Sequence, residues 1–352
     1  MKTRGRAQWP AAAAQAAALL SRDRLSPRVL EWADSRPTRE KWGIALSGGA
    51  DSVALLLLLH AHWPSRRPRM VAFHFDHRLR GAESTSDARF CARLCAGLGV
   101  PLVSGRWTAR GRSASEAGAR EARFGFIERE MAARRIRVLW LGHQQDDIAE
   151  TILMRLARGS GGAGLAAPRP VHAFAPAGGG ALGRFNVRPL LTLKKREIAA
   201  FLRAAGAPWR EDASNAKDTH FRNRLRRDVI PRWVRAAERD ALGGAALSRE
   251  LLEEDDQALE AWVDALGPLG GDGSLAVSRL SGRPRAVVRR SLYRWLLAQK
   301  APGELSRQGF DSLLRSVERG TPVRHSLGRH GFAVIRGGRL RFEKVRKSAA
   351  SH

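Results

Sequence analysis

Cysteine is almost missing from the chain. Only Cys91 and Cys95 occur among 352 residues, four positions apart in SDARFCARLCAGLG. This spacing is not the C-x-x-C of redox or zinc sites. Phe90, Leu94 and Leu98 share a helical face with the pair, so we expect two small buried side chains in a core stripe. Because nothing here indicates an oxidising compartment, we expect a cytoplasmic protein.

Long apolar runs are also missing. No run approaches the roughly 20 residues that a membrane span requires, and VALLLLLHAHW is interrupted by histidines and followed by a proline. The first residues, MKTRGRAQWPAAAAQAAALL, have the basic start and Ala-rich middle of a signal peptide, but a Pro and a Gln interrupt them. The sequence therefore predicts no membrane association, and an N-terminal helical extension over residues 1–40 in place of a cleaved signal.

Acidic residues and lysine are scarce. The chain has 34 acidic and 62 basic residues, a net charge of +28, and only 8 of the basic residues are Lys. A biased genome explains the choice of Arg over Lys, but it does not explain the excess of both over acid. A charge of this size favours a polyanionic partner, most often a nucleic acid.

The length indicates two domains. Between residues 40 and 190, continuous apolar segments alternate with helical patterns, which predicts an α/β fold with a parallel sheet and helices on both faces. Ligands of such sheets bind at the carboxyl ends of the strands. The predicted strands are WGIALS, RMVAFHF, PLVSGRW, RVLWLG and RFNVRPL, and the predicted helices lie near residues 50–62, 84–98, 113–134 and 144–158.

The second half of the chain is more irregular. Gly159 to Gly183 is rich in Gly, Pro and Ala and predicts a loop. A helix should follow over 192–206, with Thr192 as its N-cap and Gly206 at its end. After a basic stretch broken at Pro231 come an acidic amphipathic helix, a basic helix and a hairpin turning at Gly337-Gly338.

These patterns predict a domain plan. The region from Arg279 to Arg346 has 17 basic and 4 acidic residues, which suits a small basic, helical domain with a terminal hairpin that binds nucleic acid. The predicted parts are the extension over 1–40, a catalytic domain over 41–215, a basic helical linker over 216–245, a C-terminal domain over 246–345 and a tail over 346–352.

A short glycine-rich turn joins the first predicted strand to the next helix. In this SGGADS stretch, Gly48 and Gly49 let backbone N–H groups face a ligand, and the helix N-terminus favours an anion. Ser47, Ala50 and Ser52 complete the turn with further donors. The lysine of a Walker A loop is absent. Instead Asp51 lies where phosphates would bind, which indicates a site for Mg²⁺ or a cationic group.

A second candidate site lies in LGHQQDDIAETILMRLARGSG. Asp147 and Glu150 are three residues apart near a helix start, so they share one face. Such a pair is suited to hold an ammonium group or Mg²⁺, although an acidic first turn is also favoured by the helix dipole alone. Arg120 and Arg123 in EAGAREARFGFI could clamp phosphates or form a solvated face.

These stretches together resemble the tRNA(Ile)-lysidine synthetases of the PP-loop ATPase superfamily. SGGADS is the superfamily signature, and DHRLR, EAGAREARF, HQQDDIAET and the string RPLL…REI…GAPWREDASN…RNRLR occur in that family's order over residues 43 to 231. One departure is His143-Gln144, where the family usually has two adjacent histidines.

The resemblance implies a reaction and residue roles. ATP, with Mg²⁺, adenylates the wobble cytidine of an isoleucine tRNA with a CAU anticodon, and the ε-amine of free L-lysine then displaces AMP to form lysidine. Asp51 is expected to position Mg²⁺ and pyrophosphate, and Arg120 or Arg123 to stabilise the α-phosphate. The remaining expectations are that Asp147 and Glu150 hold lysine and that Arg222 and Arg224 grip nucleotide or RNA.

Three alternatives remain open at this point. A PP-loop tRNA thiolase also adenylates a base, but it requires a cysteine pair or an iron–sulfur site. A noncatalytic RNA-binding protein has little reason to keep carboxylates beside phosphates. A metal hydrolase would need His74, His77 and His143 together, although residues three apart on a strand point to opposite faces.

Overall fold

The computed structural model describes residues 4–76, 82–107, 116–174, 183–211, 221–299 and 305–344. The chain divides into two compact units, Met1–Leu251 and Leu252–His352. The division falls inside one long helix, Ala241–Leu266, which starts within the segment that the sequence predicted as a linker.

The first unit is built on a six-stranded sheet. Its strands are β1 (Trp42–Ala45), β2 (Met70–Asp76), β3 (Leu102–Arg106), β4 (Val138–Trp140), β5 (Val171–Phe174) and β6 (Arg184–Val187), in the order β3-β2-β1-β4-β6-β5. All neighbouring pairs are parallel except β5 with β6. The predicted parallel sheet is confirmed. Because the chain steps from β1 to β2 and β3 and then returns to β4 on the other side of β1, the topology reverses between β1 and β4.

The edge strand β5 lies in the segment that we expected to be a loop, and that part of the prediction was wrong. Its residues are half-buried or exposed, so no apolar alternation marks it as a strand. The segment forms a strand because it pairs antiparallel with β6, and the local Gly- and Pro-rich composition does not indicate this pairing.

Helices cover both faces of this sheet. The helices that begin in the first unit are α1 (Arg4–Leu19), α2 (Pro27–Asp34), α3 (Ala50–His62), α4 (Ala82–Leu98), α5 (Glu116–Ala133), α6 (Gln145–Leu156), α7 (Gly162–Leu165), α8 (Lys195–Ala204), α9 (Phe221–Arg224), α10 (Ile230–Ala236) and α11 (Ala241–Leu266). The leucine run of α3 is buried on all sides, as an apolar helix must be in a sheet protein. Among the described residues, no helix has the length and hydropathy needed to cross a lipid bilayer.

Alternate residues of β2 point into two different cores. Ala72 joins the cluster formed with α1, α3 and α4, whereas Phe73 joins Phe126 and Ile127 of α5. The predicted N-terminal helix α1 packs against α3 and α4. Cys91 and Cys95 lie in the first of these cores with at most 1% of their surface exposed, as predicted.

The start of α8 differs from the prediction. Thr192 is not its N-cap, since it lies in a preceding 3₁₀ turn and its hydroxyl donates to the Arg24 carbonyl (2.6 Å). The helix begins instead after Lys194, whose backbone N–H donates to the Glu197 carboxylate (2.8 Å). The next N–H, of Lys195, donates to the Asp146 carboxylate (2.9 Å), which ties α8 to the first turn of α6.

The second unit has its own small core. After the end of α11 come β7 (Leu275–Ala276), α12 (Arg285–Ala298), α13 (Arg307–Arg319), β8 (Val323–Ser326), β9 (Phe332–Arg336) and β10 (Arg339–Glu343), with the strands in the antiparallel order β7-β10-β9-β8. The predicted hairpin is confirmed as β9–β10, and Gly337 and Gly338 both have positive φ (56° and 69°), as a two-residue turn of this kind requires.

Candidate active site

The glycine-rich turn lies between the end of β1 and the start of α3. Gly48 has φ +91°, a left-handed conformation that favours glycine, and a Cβ there would approach the Cys91 Sγ to 3.2 Å. Gly49 is the N-cap of α3, so the free N–H groups of the helix start face the loop. The turn therefore presents bare backbone at the positive end of a helix dipole.

Two serines shape this loop. The Ser52 hydroxyl oxygen accepts hydrogen bonds from the backbone N–H groups of Ser47 (3.2 Å) and Gly48 (3.1 Å) and donates to the Gly49 carbonyl (3.0 Å). Two loop N–H groups thus converge on one acceptor oxygen, which is the geometry of an anion-binding nest.

Asp51 is the unusual member of the loop. Burial, followed by the negative charge of Asp147, raises the pKa of its carboxyl group to about 7. Its Oδ1 atom is buried and has no hydrogen-bond partner among the described residues. A buried carboxylate oxygen without a donor is well suited to bind a cation. A single carboxylate that acts together with substrate phosphates is the usual way in which proteins hold Mg²⁺.

Gly142, after β4, is a further residue of the site that the sequence did not single out. A Cβ at Gly142 would lie 2.8 Å from the Asp51 carbonyl oxygen. Any larger residue would push the β4 end away from the start of α3. The only signal in the sequence is the glycine at the end of the predicted strand RVLWLG.

Asp147 and Glu150 lie in the first turns of α6, which follows β4. Gln144 is the N-cap of this helix: its side chain accepts from the Asp146 N–H (2.5 Å), and its own N–H donates to the Asp147 carboxylate (2.9 Å). Gln144 stands where the resembling family usually has a second histidine, and here it is a buried capping residue. Since β1 and β4 are neighbours at the point where the topology reverses, the glycine-rich turn and the acidic pair share one edge of the sheet.

The two carboxylates are bound by arginines. Arg222 donates to Asp147 Oδ1 (2.5 Å) and to Glu150 Oε2 (2.6 Å). Arg226 donates to Glu150 through both Nε (2.6 Å to Oε1) and Nη2 (3.0 Å to Oε2). Sequence reasoning named Arg222 and Arg224 in this stretch and missed Arg226. The signal was the i, i+4 spacing of Arg222 and Arg226, which matches the spacing of neighbours on one helix face.

The other predicted residues lie in different surroundings. Arg224 is exposed and lies 5.9 Å from the Phe221 ring. Arg123 is half-buried on α5, with its guanidinium 5.2 Å from the Phe124 ring. Arg120 is on the same helix, but its side chain lies outside the described residues.

The segment after α8 supports the glycine-rich turn from outside. The Arg210 N–H donates to the Gly48 carbonyl (2.9 Å), and the Arg210 side chain donates to the Asp87 carboxylate of α4 (2.8 Å). The Pro-Trp string that precedes it was recognised in the sequence, but its contact with the phosphate loop was not. Arg210 therefore fixes the loop to α4.

The histidines of the hydrolase alternative have separate partners. His74 Nδ1 lies 2.9 Å from the Leu46 carbonyl, and His143 Nδ1 accepts from Arg188 (3.3 Å). His77 lies outside the described residues. Within the described ranges, no three His, Cys, Asp or Glu side chains group together as metal ligands.

The cysteines do not resemble a redox or cluster site. Burial raises the pKa of both thiols to about 12, so each stays protonated and poorly nucleophilic near neutral pH. They are one turn apart on α4 and lie in the core. The thiolase alternative is therefore not favoured.

Comparisons with known proteins agree with this geometry. Residues 23–233 match the family model of the PP-loop domain, an ATP-binding domain. The fold and site thus define a protein of the PP-loop class. A solved structure of the U34-tRNA thiolase NcsA from Methanococcus maripaludis has the same fold, with a TM-score of 0.51 and 16% identity over 64% of this chain and 77% of that one.

Curated relatives narrow the class further. A tRNA(Ile)-lysidine synthase from Hyphomonas neptunium is 35% identical over 78% of this chain and 73% of its own length. One from Geobacter sulfurreducens is 38% identical over 76% of this chain and 56% of its own length. The chain belongs to the tRNA(Ile)-lysidine synthase family. It spans 56% and 60% of the length of the relatives from Geobacter sulfurreducens and Solibacter usitatus.

Proposed function

We propose that this chain ligates lysine to the wobble cytidine of an isoleucine tRNA with a CAU anticodon, using ATP and releasing AMP and pyrophosphate. One observation carries the proposal: a phosphate-binding turn with Asp51, whose Oδ1 atom is buried, lies at the same edge of the sheet as a buried carboxylate pair, Asp147 and Glu150. Family membership supplies the substrate class.

The glycine-rich turn is the ATP phosphate site in this proposal. The N–H groups of Ser47, Gly48 and the start of α3 bind phosphate oxygens. Those of Ser47 and Gly48 exchange their hydrogen bonds to the Ser52 hydroxyl for bonds to phosphate. Asp51 would hold Mg²⁺, because its unpartnered oxygen together with bound phosphates would fit such an ion. When bound, Mg²⁺ neutralises phosphate charge and so favours attack at the α-phosphate.

The adenylation step transfers AMP to the C2 oxygen of the cytidine, and pyrophosphate leaves. Arg123, or its neighbour Arg120 one helical turn earlier, is assigned to the charge that develops at the α-phosphate. The dipole at the N-terminus of α3 also favours this negative charge.

The ligation step needs a neutral amine. Free lysine has a side-chain pKa of about 10.4, so its ε-ammonium must lose a proton before it can attack C2. Glu150 is fully buried and Asp147 nearly so; burial disfavours the charged ammonium, and one of these carboxylates accepts its proton as the base. Attack at C2 then expels AMP and forms lysidine.

The RNA is held by arginines outside this pocket. The second unit has more basic than acidic residues, and its exposed arginines suit phosphate contacts. Single-stranded anticodon bases are read by stacking and hydrogen bonds to splayed bases. Arg224 is exposed on α9 and is assigned to the RNA.

The test is direct. The full chain is incubated with ATP, Mg²⁺, labelled lysine and the CAU-anticodon isoleucine tRNA, and label in the RNA is counted. A methionine tRNA with the same anticodon is the specificity control. We expect lysine in the isoleucine tRNA alone. Label from a sulfur donor in place of lysine would identify a thiolase, and RNA binding without either product would identify a noncatalytic protein.

A further inference from the structure

The carboxylate pair assigned to lysine already holds two cations of the protein itself. Glu150 has 0% of its surface exposed, and both of its carboxylate oxygens accept arginine hydrogen bonds. Oε2 accepts two donors and Oε1 accepts one. Asp147 uses one oxygen for the Gln144 N–H and the other for Arg222.

An incoming lysine cannot simply be added to this arrangement. Its ε-ammonium carries three donors, and the pair has little acceptor capacity left. The charges are also balanced, since two carboxylates face two guanidinium groups. A third cation on this pair would find no counter-charge left there, since the unpartnered oxygen of Asp51 belongs to the phosphate loop, and an unbalanced charge is costly away from water.

We propose that Arg226 exchanges Glu150 for the phosphates of bound ATP, so that the lysine pocket opens only after ATP has bound. This inference rests on the proposed function of the site. With Arg226 withdrawn, the ammonium of lysine takes its place at Glu150, and the charge balance of the pair is unchanged.

The geometry singles out Arg226 as the arginine that moves. Arg222 bridges both carboxylates, whereas Arg226 binds Glu150 and approaches Asp147 to 3.9 Å. The positive charge of Arg226 also acts on Asp51, in the phosphate loop. Arg226 is therefore bound to the acidic pair and is electrostatically coupled to the phosphate loop.

ATP supplies a reason for the exchange. Bound phosphates place several negative charges beside Asp51, and a guanidinium binds phosphate oxygens in the same bidentate manner as it binds Glu150. Lysine carries no phosphate and cannot draw Arg226 away in this manner.

The backbone around Arg226 is suited to a change of position. Arg226 lies in a π-helical turn, Leu225–Val229, between α9 and α10. Such turns contain one extra residue and occur mostly at functional sites. A π-turn that relaxes to an α-turn changes the direction of its side chains without unfolding the helix.

The test measures lysine binding to the full chain by calorimetry. Lysine is titrated with and without Mg²⁺ and α,β-methylene-ATP, which cannot be cleaved between the α and β phosphates. We expect lysine to bind at least 10-fold more tightly with the analogue. Arg226→Gln should bind lysine without the analogue about as tightly as the unchanged chain does with it.

Two further variants distinguish a gate from a structural role. Arg226→Lys keeps a charge but cannot bind in a bidentate manner, so its dependence on the analogue should be intermediate. Arg39→Gln removes an exposed arginine before β1 and should behave as the unchanged chain. Thermal unfolding of each variant verifies that it is folded.

Two results would overturn the exchange. One is lysine binding to the unchanged chain that is equally tight with and without the analogue. The other is a folded Arg226→Gln or Arg226→Lys variant that does not bind lysine under either condition, since Arg226 would then be part of the pocket. Neither result bears on labelled lysine reaching the tRNA, which tests the proposed function separately.

Discussion

Arginines in the two units have opposite surroundings. In the first unit, Arg222 and Arg226 are partly buried and bind the carboxylates of Asp147 and Glu150. In the second unit, several arginines of the described residues are exposed and have no ion-pair partner there: Arg283, Arg289, Arg315 and Arg319. The net charge of the chain therefore adds together arginines that balance internal carboxylates and arginines that remain available to an outside anion.

The second unit also contains arginines of the first kind. Arg290 binds Asp256 and Glu260 (2.5 Å each), and Arg294 binds Asp264 (2.5 Å). The acidic helix α11 thus neutralises one flank of α12. The difference that matters is the partner of each arginine, and the number of arginines in a region does not reveal it.

The largest effect is expected at Asp51, where a buried carboxylate oxygen has no hydrogen-bond partner in the described part of the protein. Asp51→Asn removes the cation-binding oxygen of the phosphate loop while keeping its shape. We expect ligation to fall about 100- to 1000-fold, as it does when a preorganised electrostatic group is removed. Turnover is measured at saturating ATP and Mg²⁺. A variant with unchanged turnover would show that Asp51 does not bind the ion.

The same residue sets a pH dependence of stability. The pKa of Asp51 is raised from 3.8 to about 7 in the folded chain, so the folded state binds this proton more tightly than the unfolded state does. The resulting stabilisation is complete below about pH 4 and is lost as the pH rises through 7. Asn does not titrate.

Asp51→Asn should therefore gain stability relative to the unchanged chain between pH 5 and pH 8, by up to about 3 kcal/mol. Denaturant unfolding without nucleotide or Mg²⁺ measures both chains across this range. A constant difference in unfolding free energy would mean that Asp51 is ionised at all these pH values and is better solvated than its burial indicates.

The second-largest effect is expected at the paired carboxylates. Glu150→Gln keeps the shape of the side chain but removes its charge, and we expect the KM for lysine to rise about 10- to 150-fold, because a charged hydrogen bond contributes about 1.5–3 kcal/mol. The KM for ATP should change far less. Glu128→Gln, an exposed carboxylate on α5, is the matched control. An unchanged lysine dependence would place the lysine pocket elsewhere.

The smallest effect is expected from the exposed arginines, because each of them contributes only weakly to tRNA affinity. Replacing Arg283, Arg289, Arg315 and Arg319 by Gln should lower the slope of log tRNA affinity against log salt by about 3, at about 0.7 to 0.9 for each phosphate that is no longer neutralised. Arg290→Gln should lower the unfolding temperature and leave the slope unchanged. Equal slopes for the fourfold variant and the unchanged chain would remove the contrast between the two units.

Much of the fold followed from the sequence because its signals are local. The parallel strands are continuous apolar segments, and α3 has the bounds that were predicted for it, residues 50 to 62. Strand β5 was missed because it depends on pairing with β6. Thr192 was misassigned because the N–H groups at the start of α8 donate to the carboxylates of Glu197 and Asp146 instead of to a threonine hydroxyl.

The site was predicted less completely than the fold. Asp51 was recognisable because a carboxylate in a phosphate-binding turn needs a cation, and Asp147 and Glu150 because their spacing places them on one helix face. Arg226, Arg210 and Gly142 were not, since their roles depend on interactions with residues distant in the chain. Whether an arginine faces an internal carboxylate or solvent cannot be read from its neighbours in the sequence.

The two buried cysteines of α4 have a practical consequence. Both thiols are buried in the core, and Cys91 lies close to Gly48. A thiol reagent can reach them only when that core opens, so the rate of labelling reports how often the core next to the glycine-rich turn becomes accessible. The labelling rate is therefore a built-in measure of local opening near the active site, and bound ATP should lower that rate.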